Sequence, residues 1–246
     1  MKIWLLIVLM GTSTISLGAQ SLDMEVLEAE LVQEFETYRN SKYETRYDTL
    51  RSKLRVNIER VLSKAQSFDY TFEKLSERIN IIQSQDKKVR LFSWDELTGG
   101  TWHDMAVIVQ YKTEDKTIKT EWIDSDISEN PTGLTDAIQY EIHDLEINGK
   151  PHYMCFGWGT FGAGHHHKSI LIFSIDKDGI NHCDNCIPKD YTLLQVQRAI
   201  PIKIEYNTEE KKISFDEFKY NDDIGFYEPT GQRIQLKLKN GKFEKL

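Results

Sequence analysis

The spacing of apolar residues changes period once along the chain. Met24, Leu27, Leu31, Phe35 and Tyr38 recur at three- and four-residue steps, with Glu25, Glu28, Glu30 and Glu34 between them. That pattern predicts an amphipathic helix with one solvated acidic face. Tyr47, Leu50, Leu54, Ile58 and Val61 continue the pattern beyond the polar break Asn40-Ser41-Lys42. Two helices, or one long helix with an irregular middle, fit residues 22–66 equally well. A third, short helix is predicted over 72–82. From Val89 onward the period is two, the alternation of strands. Strands are predicted over 89–94, 105–111, 118–123, 138–147, 152–158, 169–175, 200–206, 212–218 and 233–239. Asn148-Gly149 and Asn240-Gly241 each separate two alternating segments, the strongest short-range hairpin signal. The second joins 233–239 to a last strand over 242–245.

The predicted strands follow one another without helices between them, which implies antiparallel pairing. The apolar stripe of the N-terminal helices must be covered, and the β region is what can cover it. The expected class is therefore α+β, an N-terminal helical segment packed on an antiparallel sheet or sandwich. The expected divisions are 1–19, a helical leader over 20–83 and a β-rich domain over 84–246. Arg90-Leu91-Phe92-Ser93-Trp94-Asp95 and Ile172-Phe173-Ser174-Ile175-Asp176 share an outline. Two loose matches do not make the regular repeat of a propeller.

Residues 1–19 stand apart. Lys2 is followed by the apolar run Ile3 to Met10 and then by small and polar residues ending Gly18-Ala19-Gln20. This is the order of a cleavable signal peptide, with the cut expected after Ala19, and the run is too short to span a bilayer. The mature chain is expected to be exported, periplasmic or secreted, and soluble, without stable membrane insertion. The formal net charge of −8 becomes −9 on cleavage, because Lys2 is the one charged residue removed. So acidic a chain argues against nucleic acid and against an anionic lipid surface, and points to an envelope or extracellular partner. Export also sets the chemistry of the cysteines. In an oxidising compartment Cys183-Asp184-Asn185-Cys186 is expected to close on itself, leaving Cys155 as a buried free thiol in an apolar strand.

The segment 155–168 carries the most unusual chemistry. Gly157, Gly159 and Gly162 match the GxGxxG spacing of nucleotide loops. The dinucleotide form needs a helix next, and the kinase form needs lysine and metal-binding partners that are absent here. The expectation is a hairpin loop whose glycines allow positive φ. His165, His166 and His167 are expected on that flexible, solvated loop, where adjacent imidazoles can present two rings together. Imidazole is a common transition-metal ligand, and His103, His143, His152, His182, Cys183 or Cys186 would have to complete a site. None falls in a zinc-like spacing, so the metal, if any, is left open and no cofactor is implied. Asp124-Ser125-Asp126 and Asp176-Lys177-Asp178-Gly179 read as turns rather than calcium loops. No GxSxG or HExxH signature occurs.

One further stretch is specific. Ser84 to Asp95 ends in Ser93-Trp94-Asp95 and is followed by Gly99-Gly100-Thr101-Trp102-His103, then by Gln110-Tyr111. It resembles a family of uncharacterised exported bacterial proteins. These share a helical leader, a strand ending in Ser-Trp-Asp, a Gly-Gly-Thr step and a β-rich remainder. The resemblance implies importance for Trp94, Asp95, Gly99, Gly100 and Thr101, and supplies no activity. The same residues also suit a buried Trp, an Asp-capped strand end and a Gly-Gly turn. The sequence thus points to an exported, non-enzymatic binding or interaction protein. Its candidate ligand-binding residues are Trp94, Asp95, Thr101, His103, Trp158, His165, His166 and His167. The alternative is a metal-assisted hydrolase built on His165–His167.

Overall fold

The computed structural model describes residues 13–98, 100, 103–123, 136–161 and 164–246. Most of the expected signal segment, residues 1–12, lies outside them. Strands hold 48 % of the chain and helices 24 %, so the fold is mostly β.

The N-terminal periodicity becomes helix α1 (Ser13–Asn40), followed after Ser41 and Lys42 by one turn, α2 (Tyr43–Thr45). A π-helical turn, Arg46–Leu50, then leads into α3 (Arg51–Leu62). A π turn spends an extra residue per hydrogen bond, which is the irregular middle that the apolar spacing left open. Helix α4 (Glu73–Ser76) is far shorter than the predicted 72–82. Phe72 enters it in the left-handed region at φ 53°, and Ile81 and Ile82 are taken by strand β1 (Asn80–Gln83) instead, opposite Phe92 and Leu91. Two consecutive β-branched residues lose little by this exchange.

Three antiparallel sheets follow, each built from strands adjacent in sequence. The first has β1, β2 (Val89–Asp95), β3 (Met105–Lys112) and β4 (Ile118–Trp122) in that order. The second has β5 (Ile138–Ile147), β6 (Lys150–Phe161), β7 (His165–Asp176) and β8 (Gly179–His182), with β9 (Leu193–Gln197) also pairing to β7. The third has β10 (Ile204–Asn207), β11 (Lys212–Asn221), β12 (Phe226–Lys239) and β13 (Lys242–Lys245). Both Asn-Gly pairs turn hairpins, with positive φ at Asn148, Gly149, Asn240 and Gly241, as the twist of two-residue connections requires. Strands β8 and β9 carry too few alternating residues to stand out in the sequence. Strand β12 begins before the predicted 233 because Glu228, Pro229 and Gly231 mask its alternation.

The layers are read from alternate residues. Phe92, Trp94, Ala106 and Ile108 face Leu31, Phe35, Leu54 and Ile58 of α1 and α3. Val89, Leu91, Val107 and Val109 face the other way, onto Tyr153, Cys155, Leu171 and Phe173 of the second sheet. Met154, Phe156, Ile170 and Ile172 then face Ile204, Phe215, Ile234 and Leu236 of the third. Helices, first sheet, second sheet and third sheet therefore stack in series, and the two inner sheets are covered on both faces. Phe173 is fully buried between the first two sheets. Phe173→Ala should cost about 3–5 kcal/mol, read as a lower urea midpoint with an unchanged slope. A loss below about 1 kcal/mol would mean that these sheets do not pack as described.

Candidate functional site

Strand β2 ends at Asp95, opposite Met105 at the start of β3. The connection between them is fixed at both ends. Glu96 N–H donates to the Asp104 carbonyl at 3.0 Å, and Asp104 N–H donates to Thr98 Oγ1 at 2.8 Å. Asp95 Oδ1 accepts the Leu97 N–H at 2.6 Å, and Leu97 turns the chain at φ 51°. The other carboxylate oxygen of Asp95 lies 2.7 Å from His103 Nδ1. The Asp95 and His103 side chains are 28 % and 25 % exposed. An ionised Asp95 accepts the Nδ1 proton, which leaves the His103 Nε2 lone pair free to bond outward. His103 N–H in turn donates to Thr160 Oγ1, 3.2 Å away at the far end of β6. His103 and Thr160, one from each of the two segments singled out from the sequence, therefore meet at the end of the first two sheets.

A buried charge network lies beneath this connection. The Glu96 carboxylate is 1 % exposed and bonded by Arg51 Nε at 2.5 Å and Arg55 Nε at 2.8 Å. Tyr38 hydroxyl donates to the Glu96 carbonyl. Arg51 also comes within 3.6 Å of Asp104, and Arg55 lies over the Trp122 ring at 4.5 Å. A buried carboxylate bonded twice by guanidinium holds its backbone firmly. Helix α3 thus sets the position of the residue next to Asp95. Arg51 and Arg55 stand one helical turn apart, a visible sequence signal for a shared face. Their partner, 41 residues further on from Arg55, is not visible that way.

The histidine run departs from the expectation of a flexible loop. His165, His166 and His167 are the first residues of β7, paired with Phe161, Thr160 and Gly159 on one side and with Gln197, Val196 and Gln195 on the other. Strand alternation puts His166 on the face opposite His165 and His167, and the three rings find different partners. His166 accepts from Trp158 Nε1 at 3.0 Å on Nδ1 and donates from Nε2 to the Ile200 carbonyl at 2.7 Å. This tautomer ties Trp158 and His166 together toward the third sheet. The His165 ring packs on Phe226 with centroids 4.6 Å apart. His167 is 2 % exposed, on the face opposite His166, its Nε2 donating to the Asp136 carbonyl at 3.0 Å and its Nδ1 without a partner among the described residues. Among the described residues no three His, Cys, Asp or Glu side chains are grouped to hold a metal.

The glycines also have a different reason from the one expected. Gly157 and Gly159 lie in extended strand. A Cβ on Gly159 would stand 2.3 Å from the Asp136 carbonyl and 2.6 Å from the His167 ring. A Cβ on Gly157 would stand 2.4 Å from Ser169 Oγ. Close approach between strands, not positive φ, requires glycine here. Trp94 likewise leaves the candidate set: it is 2 % exposed and edge-packed between Phe35 and Trp122 at 5.4 and 5.8 Å. Thr101 and Gly99 lie outside the described residues. Cys183 and Cys186 are joined, with Cα atoms 5.4 Å apart, and Cys155 is a buried free thiol.

Comparison of the chain with family models, with curated proteins and with solved structures gives no match.

Burial lowers the His167 pKa from 6.5 to about 4, with the Asp136 carbonyl opposing and His166 adding to the shift. The folded chain therefore refuses a proton that the unfolded chain accepts between pH 6.5 and about 4. Stability should be fully present above pH 6.5, fall through that window and level off below it, losing roughly 3 kcal/mol in all from this residue. Urea midpoints for the wild type and His167→Gln across that window check this. The variant should show the shallower fall, and parallel curves would refute it.

Proposed function

We propose that this protein is an exported, non-enzymatic binding or interaction protein of the cell envelope. Its binding surface is the end of the first two sheets, around Asp95 and His103, with the buried Thr160 as a support beneath. The observation that supports this most is the His103 N–H to Thr160 Oγ1 bond, which places a half-exposed, carboxylate-oriented imidazole beside the β6–β7 hairpin. A rigid scaffold presenting polar groups from two connections is the usual construction of a binding site. The reading extends to the whole architecture as α+β, with the N-terminal helices as an outer layer on the first sheet. Met24, Leu27, Leu31, Phe35 and Tyr38, which hold α1 in place, all lie beyond the expected cut after Ala19 and stay with the mature chain. No described helix is long and apolar enough to cross a membrane.

The metal-assisted hydrolase built on His165–His167 needs those rings to converge, and they part along β7. A hydrolytic reading is better placed on His103, whose orientation by Asp95 suits a general base.

An array of envelope glycans and peptides probed with residues 20–246 tests the proposal. A ligand should be retained, and His103→Ala and Asp95→Asn should each weaken it about tenfold with the melting temperature held. Full-strength binding by both variants, or no ligand at all, would refute the reading.

A further inference from the structure

The expected Cys183–Cys186 bond has surroundings that the sequence did not reveal. It lies at the floor of a cleft of about 390 Å³ where the β5–β6 turn, the loop after β8 and the β12–β13 turn come together. Both Asn-Gly turns therefore border the same disulfide. Cys186 is 1 % exposed and packs into the apolar layer between the second and third sheets, whereas Cys183 is partly exposed. The cleft is lined by Lys150, His152 and Lys242, with Asn185 alongside and no carboxylate among its lining residues. Lys150 and Lys242 are exposed at its rim. The fold fixes the flanks of the disulfide. Cys183 N–H donates to the Ile172 carbonyl at 2.8 Å, and the Cys186 carbonyl accepts from Phe243 N–H at 2.7 Å. The backbone on both sides is therefore held while the bond between the sulfurs faces a basic opening.

We propose that the Cys183–Cys186 pair is a thiol–disulfide exchange site that accepts electrons from an anionic thiol or dithiol entering this cleft. Exchange needs an accessible sulfur, an attacking thiolate and stabilisation of the thiolate that leaves. Cys183, partly exposed and lining the cleft, provides the first. The lysines draw in the second, since cations raise the local concentration of an anion, and the third is met by protonation of Cys186, which packs into the apolar layer. In the first step a thiolate sulfur bonds to Cys183 Sγ as the Cys183–Cys186 bond breaks, and the electron pair leaves on Cys186. In the second step another thiolate, the partner's second sulfur if it is a dithiol, attacks the partner sulfur and releases Cys183 as thiolate. The partner leaves as a disulfide, two electrons have passed to the protein, and Cys183 and Cys186 take up two protons. Cys155 takes no part, because burial between the sheets pushes its thiol far above the usual range.

Reduced glutathione and dithiothreitol are the probes. The oxidised protein is treated near neutral pH, quenched with acid, alkylated and weighed by intact mass. Two free thiols should appear at Cys183 and Cys186 without a change in the melting profile. The Lys150→Gln/Lys242→Gln variant, altered only at exposed positions, should be reduced about three- to tenfold more slowly, and added salt should bring the wild type towards it. In Cys186→Ser, oxidised glutathione should mark Cys183 as the mixed disulfide, and in Cys183→Ser it should leave Cys186 largely unmarked. A disulfide that resists both thiols in the native protein yet is reduced in urea would overturn the proposal. So would a lysine variant reduced at the wild-type rate.

Discussion

A sheet covered on both faces has no solvent side on which to place a polar residue. That constraint governs the two inner sheets, and much of the structure is a response to it. Where β2 carries Arg90, the guanidinium Nη1 donates to the carbonyls of Ser67, Phe68 and Tyr70 at 2.8–3.0 Å, and the charge lies between the rings of Phe72 and Phe92. Where β2 carries Ser93, the hydroxyl accepts from the Gln139 N–H at 3.0 Å across the gap between sheets. Where β7 carries His167, the ring finds the Asp136 carbonyl. The Arg90 and Ser93 pairings cross between layers, so each fixes the lateral position of one layer on the next. A purely apolar interface specifies that position less sharply.

The candidate site inherits its geometry from this constraint. Gly157 and Gly159 lie where Ser169, Gln139, Asp136 and His167, from the second sheet and the residues leading into it, crowd the space that a side chain would fill. The end of β6 meets the β2–β3 connection through the His103 N–H to Thr160 Oγ1 bond. From the opposite side, Arg51 and Arg55 of α3 hold Glu96 and with it the residue next to Asp95. The imidazole of His103 is thus positioned by the helices through Glu96, by β2 through Asp95 and by the second sheet through Thr160. Three layers converge on one half-exposed ring.

The apolar alternation made most elements legible, because burial leaves a strong periodic trace. Met24 to Tyr38 marked α1, and the runs around Val107 and Leu171 marked central strands. Both Asn-Gly turns and the close pair Cys183 and Cys186 were legible for equally local reasons. The failures have a common cause. His165, His166 and His167 read as a loop because each is polar, yet each packs on or bonds to a partner distant in sequence: Phe226, Ile200 and Asp136. Gly157 and Gly159 read as turn residues because steric crowding from other strands leaves no local signal. Ile81 and Ile82 read as the end of a helix until β2 supplied their neighbours. The candidate site was legible in its surface residues, Asp95 and His103, and illegible in its supports, Glu96, Arg51, Arg55 and Thr160, which are set by tertiary contact alone.

The central claim is that the β2–β3 connection and the β6–β7 hairpin form one surface, joined through the His103 backbone. Amide hydrogen exchange at His103 tests it most directly, in the wild type and in Thr160→Val, which keeps the shape of the side chain and removes the acceptor. Exchange at His103 should be slow in the wild type and lose protection locally in the variant, with the strands of both sheets unchanged. Exchange at the intrinsic rate in the wild type, or protection that survives the substitution, would contradict it.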